Sequence, residues 1–266
     1  MTRVAMLSET EAWVEGIRVD PRVRGMNVAT DLQVAELRWI AAHGAQVVRY
    51  MTGDMNVASQ RLGARHGLLE IGRWRTYNQA DHEHDPAGRH VVPTEAELSE
   101  LGKARYADWP LFRDDATLAA GHMLYEYRPW AFQELTEERF RSHVDHDEVF
   151  IAGAGDARAA LILNRRLLAD GDFHIASVAG DGTVLLDDLL RPLARPDFRV
   201  PDPDPPLLRG ARERFTAAGY GPWDQGSILV ERPMDAAQPL PEPDEAGAVV
   251  FGDEPHRIAV APPIGP

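Results

Sequence analysis

The sequence predicts an α+β fold in which helices flank a mixed central sheet. Three segments carry this prediction: an apolar stretch at residues 12–19, a helical periodicity that begins at Val28, and a second apolar stretch at residues 45–51. A strand, a crossover helix and another strand form a right-handed unit, so the two strands are expected to be parallel.

The helix of this unit is predicted from the spacing of its apolar residues. Val28, Leu32, Ala35 and Trp39 recur at intervals of four, three and four, which places them on one face. Gly44 is a natural C-terminal stop. Four polar residues are predicted to lie mostly off this face: Asp31, Gln33, Glu36 and Arg38.

Further elements follow along the chain. A short helix is predicted from Asn56 to a stop at Gly67, and a strand at residues 69–77. A capping box at Thr94 predicts the next helix. Beyond it we predict helices at 115–124 and 136–143, strands at 148–154, 158–165 and 173–179, a helical stretch at 184–193, a helix at 207–218 and a strand at 226–232.

Length and composition exclude several classes of protein. The 266 residues suffice for one or two domains, and the lack of cysteine excludes disulfides, thiolate metal sites and cysteine nucleophiles. A net charge of −14 disfavours nucleic acids and anionic membranes as partners, and no apolar run is long enough for a membrane span. We therefore expect a cytoplasmic protein that binds neither nucleic acid nor membrane.

The turn between the first strand and its helix is a candidate anion site. It contains Pro21, Gly25 and two cations, Arg22 and Arg24, on an otherwise acidic chain. The first amides of a helix lack intrahelical partners and lie at the positive end of the helix dipole, which suits a phosphate or pyrophosphate. The alternative is a basic turn with a purely structural role.

This turn resembles the acyl-CoA-binding loop of the GNAT acetyltransferases, whose pattern is Arg/Gln-x-x-Gly-x-Gly/Ala. Arg24, Asn27 and Ala29 occupy the three specified positions. Asn27 departs from the usual glycine, but asparagine tolerates positive φ better than other residues do. A second landmark of the family is an Asn at the start of the last core helix with a Gly eleven residues later, which Asn56 and Gly67 match.

The resemblance implies an α+β GNAT-like fold and acetyl-CoA as co-substrate, with no metal. It assigns the pyrophosphate to the amides of residues 24–29, the pantetheine arm to Ile17 through Val19, and the far end of the cofactor to Asn56. The full set of implied cofactor-binding residues is Ile17, Val19, Arg24, Gly25, Met26, Asn27, Val28, Ala29 and Asn56. Many members carry a tyrosine as general acid where this chain has Gly63, so the general acid is unassigned.

Two carboxylates of the first predicted strand, Glu11 and Glu15, are candidates for the general base that deprotonates an amine. Glu15 shares a predicted strand face with Trp13 and Ile17, which would desolvate it and raise its pKa. The alternative for either residue is a solvated carboxylate on an edge strand.

The resemblance also implies two tandem GNAT-like halves. We predict a half domain at residues 1–80 that binds acyl-CoA, a linker at 81–94, a degenerate second domain at 95–235 and a tail rich in proline and acids at 236–266. Few residues precede the first half's loop. Three explanations stay open: a start codon placed too late, completion by the second half, or strand exchange in a homodimer.

The second half offers weaker signals. The loop after Val178 carries Asp181, which would repel a pyrophosphate. Histidines 82, 84 and 90 in the linker, and His143 and His146 later on, are expected in solvated loops rather than at a metal. A group of aromatic residues is assigned either to an acceptor pocket or to the core: Trp109, Tyr125, Tyr127, Trp130, Phe132 and Trp223.

The predicted function is transfer of an acetyl group from acetyl-CoA to an amine of unknown identity. The alternative is a catalytically decayed protein that binds acyl-CoA or acts as a scaffold. A third hypothesis, an unrelated α/β binding module, requires that the two strands flanking Pro21 not be adjacent.

Overall fold

The computed structural model describes residues 1–79, 95–164, 174–193, 197–202, 204–222 and 225–234. The chain forms two compact units. The first comprises Met1–Ile71 and the segment that begins at Ile228, and the second comprises Gly72–Ser227. Within the described ranges, no helix combines the length and the apolar character that crossing a membrane requires.

The strands are β1 (Arg3–Met6), β2 (Glu11–Glu15), β3 (Val47–Gly53), β4 (Leu69–Gln79), β5 (Gly102–Lys103), β6 (Leu124–Arg128), β7 (Ala131–Glu134), β8 (Val149–Ala154), β9 (Ala157–Asn164), β10 (His174–Gly180), β11 (Phe198–Pro201), β12 (Tyr220–Pro222) and β13 (Ser227–Pro233). The helices are α1 (Val28–Ala42), α2 (Val57–Arg65), α3 (Glu95–Ser99), α4 (Trp109–Arg113), α5 (Ala116–Ala120), α6 (Glu137–Asp145), α7 (Gly182–Val184, continued by a π-helical turn at Leu185–Leu190), α8 (Pro206–Arg209) and α9 (Arg212–Ala217).

The first unit is built on a mixed sheet with the strand order β1, β2, β3, β13. β1 pairs antiparallel with β2, and β2 pairs parallel with β3, so the predicted parallel pair is confirmed. The strands that flank Pro21 are therefore adjacent, against the requirement of the third hypothesis. Leu37 and Ile40 of α1 share one hydrophobic core with Val14 and Val48 of the sheet.

The bounds of α1 agree with the sequence prediction, but its predicted buried face is wrong. The residues that α1 buries are Gln33, Glu36, Leu37 and Ile40. This face includes two polar residues because each has a side-chain partner: Gln33 Oε1 lies 2.6 Å from His66 Nδ1, and Glu36 accepts a hydrogen bond from the Thr2 hydroxyl.

The second unit contains an antiparallel sheet of order β10, β9, β8, β5, a hairpin of β6 and β7, and the strands β11 and β12 paired with β4. The three strands predicted at 148–154, 158–165 and 173–179 are present as β8, β9 and β10. The single helix predicted at 207–218 is instead two short helices, α8 and α9, separated near Gly210.

The two units divide the chain differently from the predicted domain boundaries. The sequence assigns the strand at 226–232 to the second domain, but from Ile228 onward β13 belongs to the first unit, where it lies next to β3. Thr94, the linker at 81–94 and the tail at 236–266 lie outside the described residues.

Candidate functional site

The parallel strands of the first unit separate midway along their length. They pair at Glu11 with Val47, Ala12 with Val48, and Trp13 with Arg49. β3 continues to Gly53, but beyond Trp13 no ladder pairing joins the two strands within the described unit. We call the opening bordered by residues 14–19 and 50–53 the wedge. It opens toward the end at which both strands run into their following loops.

The segment after β2 borders the wedge with unpaired amides. Gly16 turns the chain at a φ of 72°, so β2 ends at Glu15 rather than at the predicted residue 19. Arg18 pairs with Met1 through both its N–H (2.8 Å) and its carbonyl (2.9 Å). The amides of Ile17 and Val19 have no partner among the described residues. Successive amides of an extended chain point in opposite directions, so these two face away from Met1, toward the wedge.

The turn that follows uses part of its own hydrogen-bonding capacity. Pro21–Val23 form a 3-10 turn, which Asp20 caps by accepting from the Arg22 amide at 2.9 Å. The amides of Arg24 and Met26 donate to carbonyls of the turn, each at 3.4 Å. This corrects the predicted set of pyrophosphate donors, because these two amides are already engaged.

The remaining amides of the turn have no partner in the part of the chain that the structure describes. Gly25 has a φ of 80° and Asn27 a φ of 60°, so the left-handed conformation expected of Asn27 is confirmed. The Asn27 side chain does not cap α1. Among the described residues, five successive or near-successive amides lack a partner: those of Gly25, Asn27, Val28, Ala29 and Thr30. They lie at the positive end of a 15-residue helix, where an anion is stabilised.

The arginines of the turn differ in their availability. Arg22 Nη2 lies 2.5 Å from Asp20 Oδ2, and this hydrogen-bonded pair lowers the pKa of the Asp20 carboxyl. Arg24 donates from Nε to the Val19 carbonyl at 3.4 Å and has no carboxylate partner in the described part of the chain. Arg24 is therefore the cation of the turn that is best placed to meet an added anion.

Asn56 lies at the same end of the sheet as the turn, directly after β3. Its Oδ1 accepts from the Ser59 amide at 3.3 Å as the N-cap of α2, and its Nδ2 donates to the Thr52 hydroxyl at 3.1 Å. These bonds leave one N–H of the side chain for a ligand. The assignment of Asn56 to the cofactor stays a prediction.

Glu11, one of the two predicted bases, is part of a buried ion cluster. Its Oε1 accepts from Arg49 Nη1 at 2.7 Å, and Arg49 Nε lies 2.6 Å from Glu231 Oε2. Glu11 is 5% exposed. The solvated alternative for Glu11 is therefore wrong, and its carboxylate is held by a guanidinium rather than directed toward an amine.

Glu15, the other predicted base, is half-buried and pairs with Arg3 at 2.9 Å. Trp13 is buried on the same strand, but Ile17 does not continue that face because the chain leaves the strand at Gly16. Ile17 and Trp13 therefore do not share one strand face beside Glu15, against the prediction.

A carboxyl that the sequence pattern assigned to the polar face lies buried beneath α1. Glu36 is 3% exposed; its Oε1 accepts from the Thr2 hydroxyl, and its Oε2 has no partner among the described residues. Burial raises the pKa of Glu36 to about 8, against a smaller opposing effect of the N-terminal ammonium. A sequence signal existed, since Gln33, Leu37 and Ile40 also follow helical spacing and Glu36 lies beside them.

The corresponding turn of the second unit, between β10 and α7, is closed by its own side chain. Asp181 Oδ1 accepts from the amides of Thr183 and Val184, both at 2.9 Å. The amides that a phosphate would need are therefore satisfied by a carboxylate, which also repels an anion.

The second unit buries a chain of polar side chains. His143 Nδ1 lies 2.7 Å from Glu148 Oε2, and His143 Nε2 lies 3.2 Å from the Tyr125 hydroxyl, which accepts from Gln133 Nε2 at 2.8 Å. The expectation of a solvated loop for His143 is wrong, since this residue is 2% exposed in α6. Within the described residues, no group of three or more metal-ligating side chains converges.

The aromatic residues of the second unit divide between core and surface. Tyr125 and Phe132 are buried, whereas Trp130 is exposed. The Cζ atom of the Arg199 guanidinium lies over the Trp130 ring, 4.2 Å from its centroid. A cavity of about 20 Å³ lies between β10 and β11, enough for one water molecule. Tyr125 and Phe132 line this cavity, and they serve as core there rather than as an acceptor pocket. Trp223 lies outside the described residues.

No family model matches the chain, and no curated protein matches it. Solved structures to which it is similar include a GCN5-related N-acetyltransferase from Sphaerobacter thermophilus, at 19% identity and a TM-score of 0.48 over 85% of this chain and 74% of that one. A GCN5-related N-acetyltransferase from Anabaena variabilis is 13% identical, with a TM-score of 0.42 over 89% and 59%. A tandem GNAT protein from the clavulanic acid biosynthesis pathway is 10% identical, with a TM-score of 0.39 over 85% and 75%. At these values the activity has to be argued from the residues themselves.

Proposed function

We propose that the chain is an acyl-CoA-dependent N-acetyltransferase that moves an acetyl group from acetyl-CoA to an amine. The observation that carries the proposal is the wedge between β2 and β3. Its border offers the amides of Ile17 and Val19, and the turn that follows offers those of Gly25 and of Asn27 through Thr30, all without a partner among the described residues.

These two sets of donors suit the two halves of one ligand. The amides at the start of α1, with Arg24, suit the pyrophosphate. The amides of Ile17 and Val19 suit the carbonyls of an extended amide-containing arm, which would add to the sheet as a short strand. Asn56 completes the proposed binding residues at the margin of this site.

The chemistry requires a neutral amine, a thioester carbonyl held in position, and stabilisation of the charge that develops on oxygen and sulfur. A free amide at the border of the wedge supplies the hydrogen bond that orients the carbonyl. Glu15 is the carboxylate of β2 nearest this border, and Glu11 lies farther along the same strand. We propose Glu15 rather than Glu11 as the acceptor of the amine proton, because Glu11 is held by a buried guanidinium.

The acceptor belongs to the class of small-molecule amines, and we propose a cytoplasmic location without nucleic-acid or membrane partners. An acidic surface favours a cationic amine over an anionic acceptor. We also propose a homodimer as the assembly of the protein.

The second candidate function is acyl-CoA binding without turnover. The observation that favours it is that both predicted bases are already paired, Glu11 with Arg49 and Glu15 with Arg3. Gly63, at the position of the family's tyrosine, favours it as well.

The test combines binding with turnover. Acetyl-CoA is titrated calorimetrically into the full chain, and release of CoA is then followed with a panel of amino acids and polyamines after subtraction of hydrolysis. Binding with amine-dependent release supports the transferase. Binding without release supports the second function, and no binding by folded protein at high micromolar concentrations removes both.

A further inference from the structure

The position of Glu36 ties it to the wedge. On one side, the Thr2 hydroxyl that donates to Glu36 also lies 3.4 Å from the Glu15 carbonyl, at the end of β2. On the other side is Tyr50 of β3, whose pKa is raised mainly by burial and also by the nearby Glu36 charge. Glu36 therefore lies between β1 and β3, over the place where β2 and β3 separate.

The chemistry of Glu36 is that of an incompletely satisfied acid. Oε1 is engaged by Thr2, whereas Oε2 is buried and has no partner among the described residues. A buried polar oxygen without a partner is costly, and a ligand that supplies one would be stabilised. The N-terminal ammonium acts on this carboxyl, and the charge of Glu36 in turn acts on the Tyr50 hydroxyl.

Neighbouring hydroxyls do not provide an alternative donor. Tyr50 donates to the Ser59 carbonyl at 2.8 Å. Its hydroxyl also fills the space that a side chain at position 63 would occupy, so Gly63 is required by Tyr50. The acid that the departing thiolate needs is therefore missing from α2.

We propose that the carboxyl of Glu36 is the proton donor to the thiolate that leaves during acetyl transfer. This inference rests on the proposed function. The amine nitrogen forms a bond to the acetyl carbon and the carbon–sulfur bond breaks. The electron pair of that bond goes to sulfur, which takes the proton from Glu36 Oε2, while the amine proton passes to Glu15 or to water. Glu36 regains its proton from solvent after CoA leaves.

Two further properties agree with this role. A pKa of about 8 keeps Glu36 protonated at neutral pH, as a general acid must be. The position of Glu36 also suits the thioester end of the cofactor. At a rise of 1.5 Å per residue, Glu36 lies about 12 Å along the helix from the start of α1. The phosphates would bind at that start, and the thioester end of an extended arm lies farther along the wedge.

The test compares wild type with Glu36→Gln, which keeps the shape but cannot transfer a proton, and with the exposed control Glu138→Gln. Acetyl-CoA affinity is measured by calorimetry, and kcat is measured with the best amine from pH 6 to pH 10. We expect Glu36→Gln to bind acetyl-CoA within about threefold of wild type and to lose roughly 100-fold or more in kcat. Its pH profile should also lose the fall in rate above pH 8, and the control should match wild type.

The outcomes separate the two claims. A Glu36→Gln protein that turns over at the wild-type rate overturns the role of Glu36 and leaves the transferase intact. If the variant fails to fold, the wild-type pH profile decides alone, and a rate that does not fall above pH 8 overturns the role. Wild-type protein that binds no acetyl-CoA overturns the proposed function and this inference with it.

Discussion

Single residues decide which groups of the first unit are available to a ligand. Gly25 and Asn27 adopt positive φ, and as a result the amides at the start of α1 are not consumed by a cap. Asp181 does the opposite in the second unit by accepting from the amides of its own helix. The positive φ of Asn27 could be predicted from its residue type. The buried position of Glu36 could not, because it depends on a hydrogen bond with Thr2, which lies 34 residues earlier in the sequence.

The raised pKa of Glu36 predicts a pH-dependent stability. Folded protein keeps the Glu36 carboxyl protonated up to about pH 8, whereas the unfolded chain loses that proton at the ordinary glutamate pKa of 4.5. The protonated Glu36 carboxyl therefore contributes fully to the free energy of unfolding below pH 4.5. This contribution, on the order of 4 kcal/mol, is lost as the pH rises toward 8. Urea denaturation at pH 5 and pH 8.5 should show Glu36→Gln gaining stability relative to wild type at the higher pH. If the free energy of unfolding changed equally between the two pH values in both proteins, this prediction would be contradicted.

The contact of Gly63 with Tyr50 predicts a steric cost. A methyl group at position 63 overlaps the Tyr50 hydroxyl, so Gly63→Ala should lower the free energy of unfolding by about 1–3 kcal/mol. Gly53→Ala is the matched control, because a Cβ there meets nothing within 4 Å. Adding Tyr50→Phe to Gly63→Ala should restore part of the loss; a double variant no more stable than Gly63→Ala would argue against the overlap.

Elements explain why local patterns predicted some features and missed others. The bounds of α1, the parallel pairing of β2 with β3 and the start of α2 at Asn56 follow from consecutive segments of the sequence, and these predictions are confirmed. The buried face of α1 was missed because it depends on distant partners, such as His66 for Gln33. The free amides at the wedge likewise required knowing where β2 and β3 separate.

The ion cluster across β2, β3 and β13 gives a prediction at this scale. Arg49→Met leaves the carboxylates of Glu11 and Glu231 without their guanidinium and should lower the free energy of unfolding by about 3–5 kcal/mol. Arg3→Met, which breaks the more exposed pair with Glu15, should cost at most about 1 kcal/mol. Denaturant titration of both variants provides the comparison, and similar losses would show that burial of the cluster does not matter.

At the scale of the whole chain, each unit contains a strand, a turn and a helix in succession. The turn before α1 has amides available for an anion, whereas the turn before α7 does not. The sequence suggested this from Asp181, and its bonds to Thr183 and Val184 supply the mechanism. The placement of β13 in the first unit could not be predicted from local pattern. The apolar pattern of β13 indicates a strand, but it does not indicate that β3 is its neighbour.

The most direct measurement is calorimetric titration of acetyl-CoA into the full chain, with the stoichiometry as the readout. One bound molecule per chain is expected, and Gly25→Val should abolish it, because valine opposes the positive φ that keeps the turn open. Asp20→Asn, which keeps a side-chain oxygen to cap the Arg22 amide and weakens the exposed pair with the Arg22 guanidinium, should keep the site. Folded protein that binds no acetyl-CoA, or that binds it equally well after Gly25→Val, would contradict the assignment of the phosphates to the turn before α1.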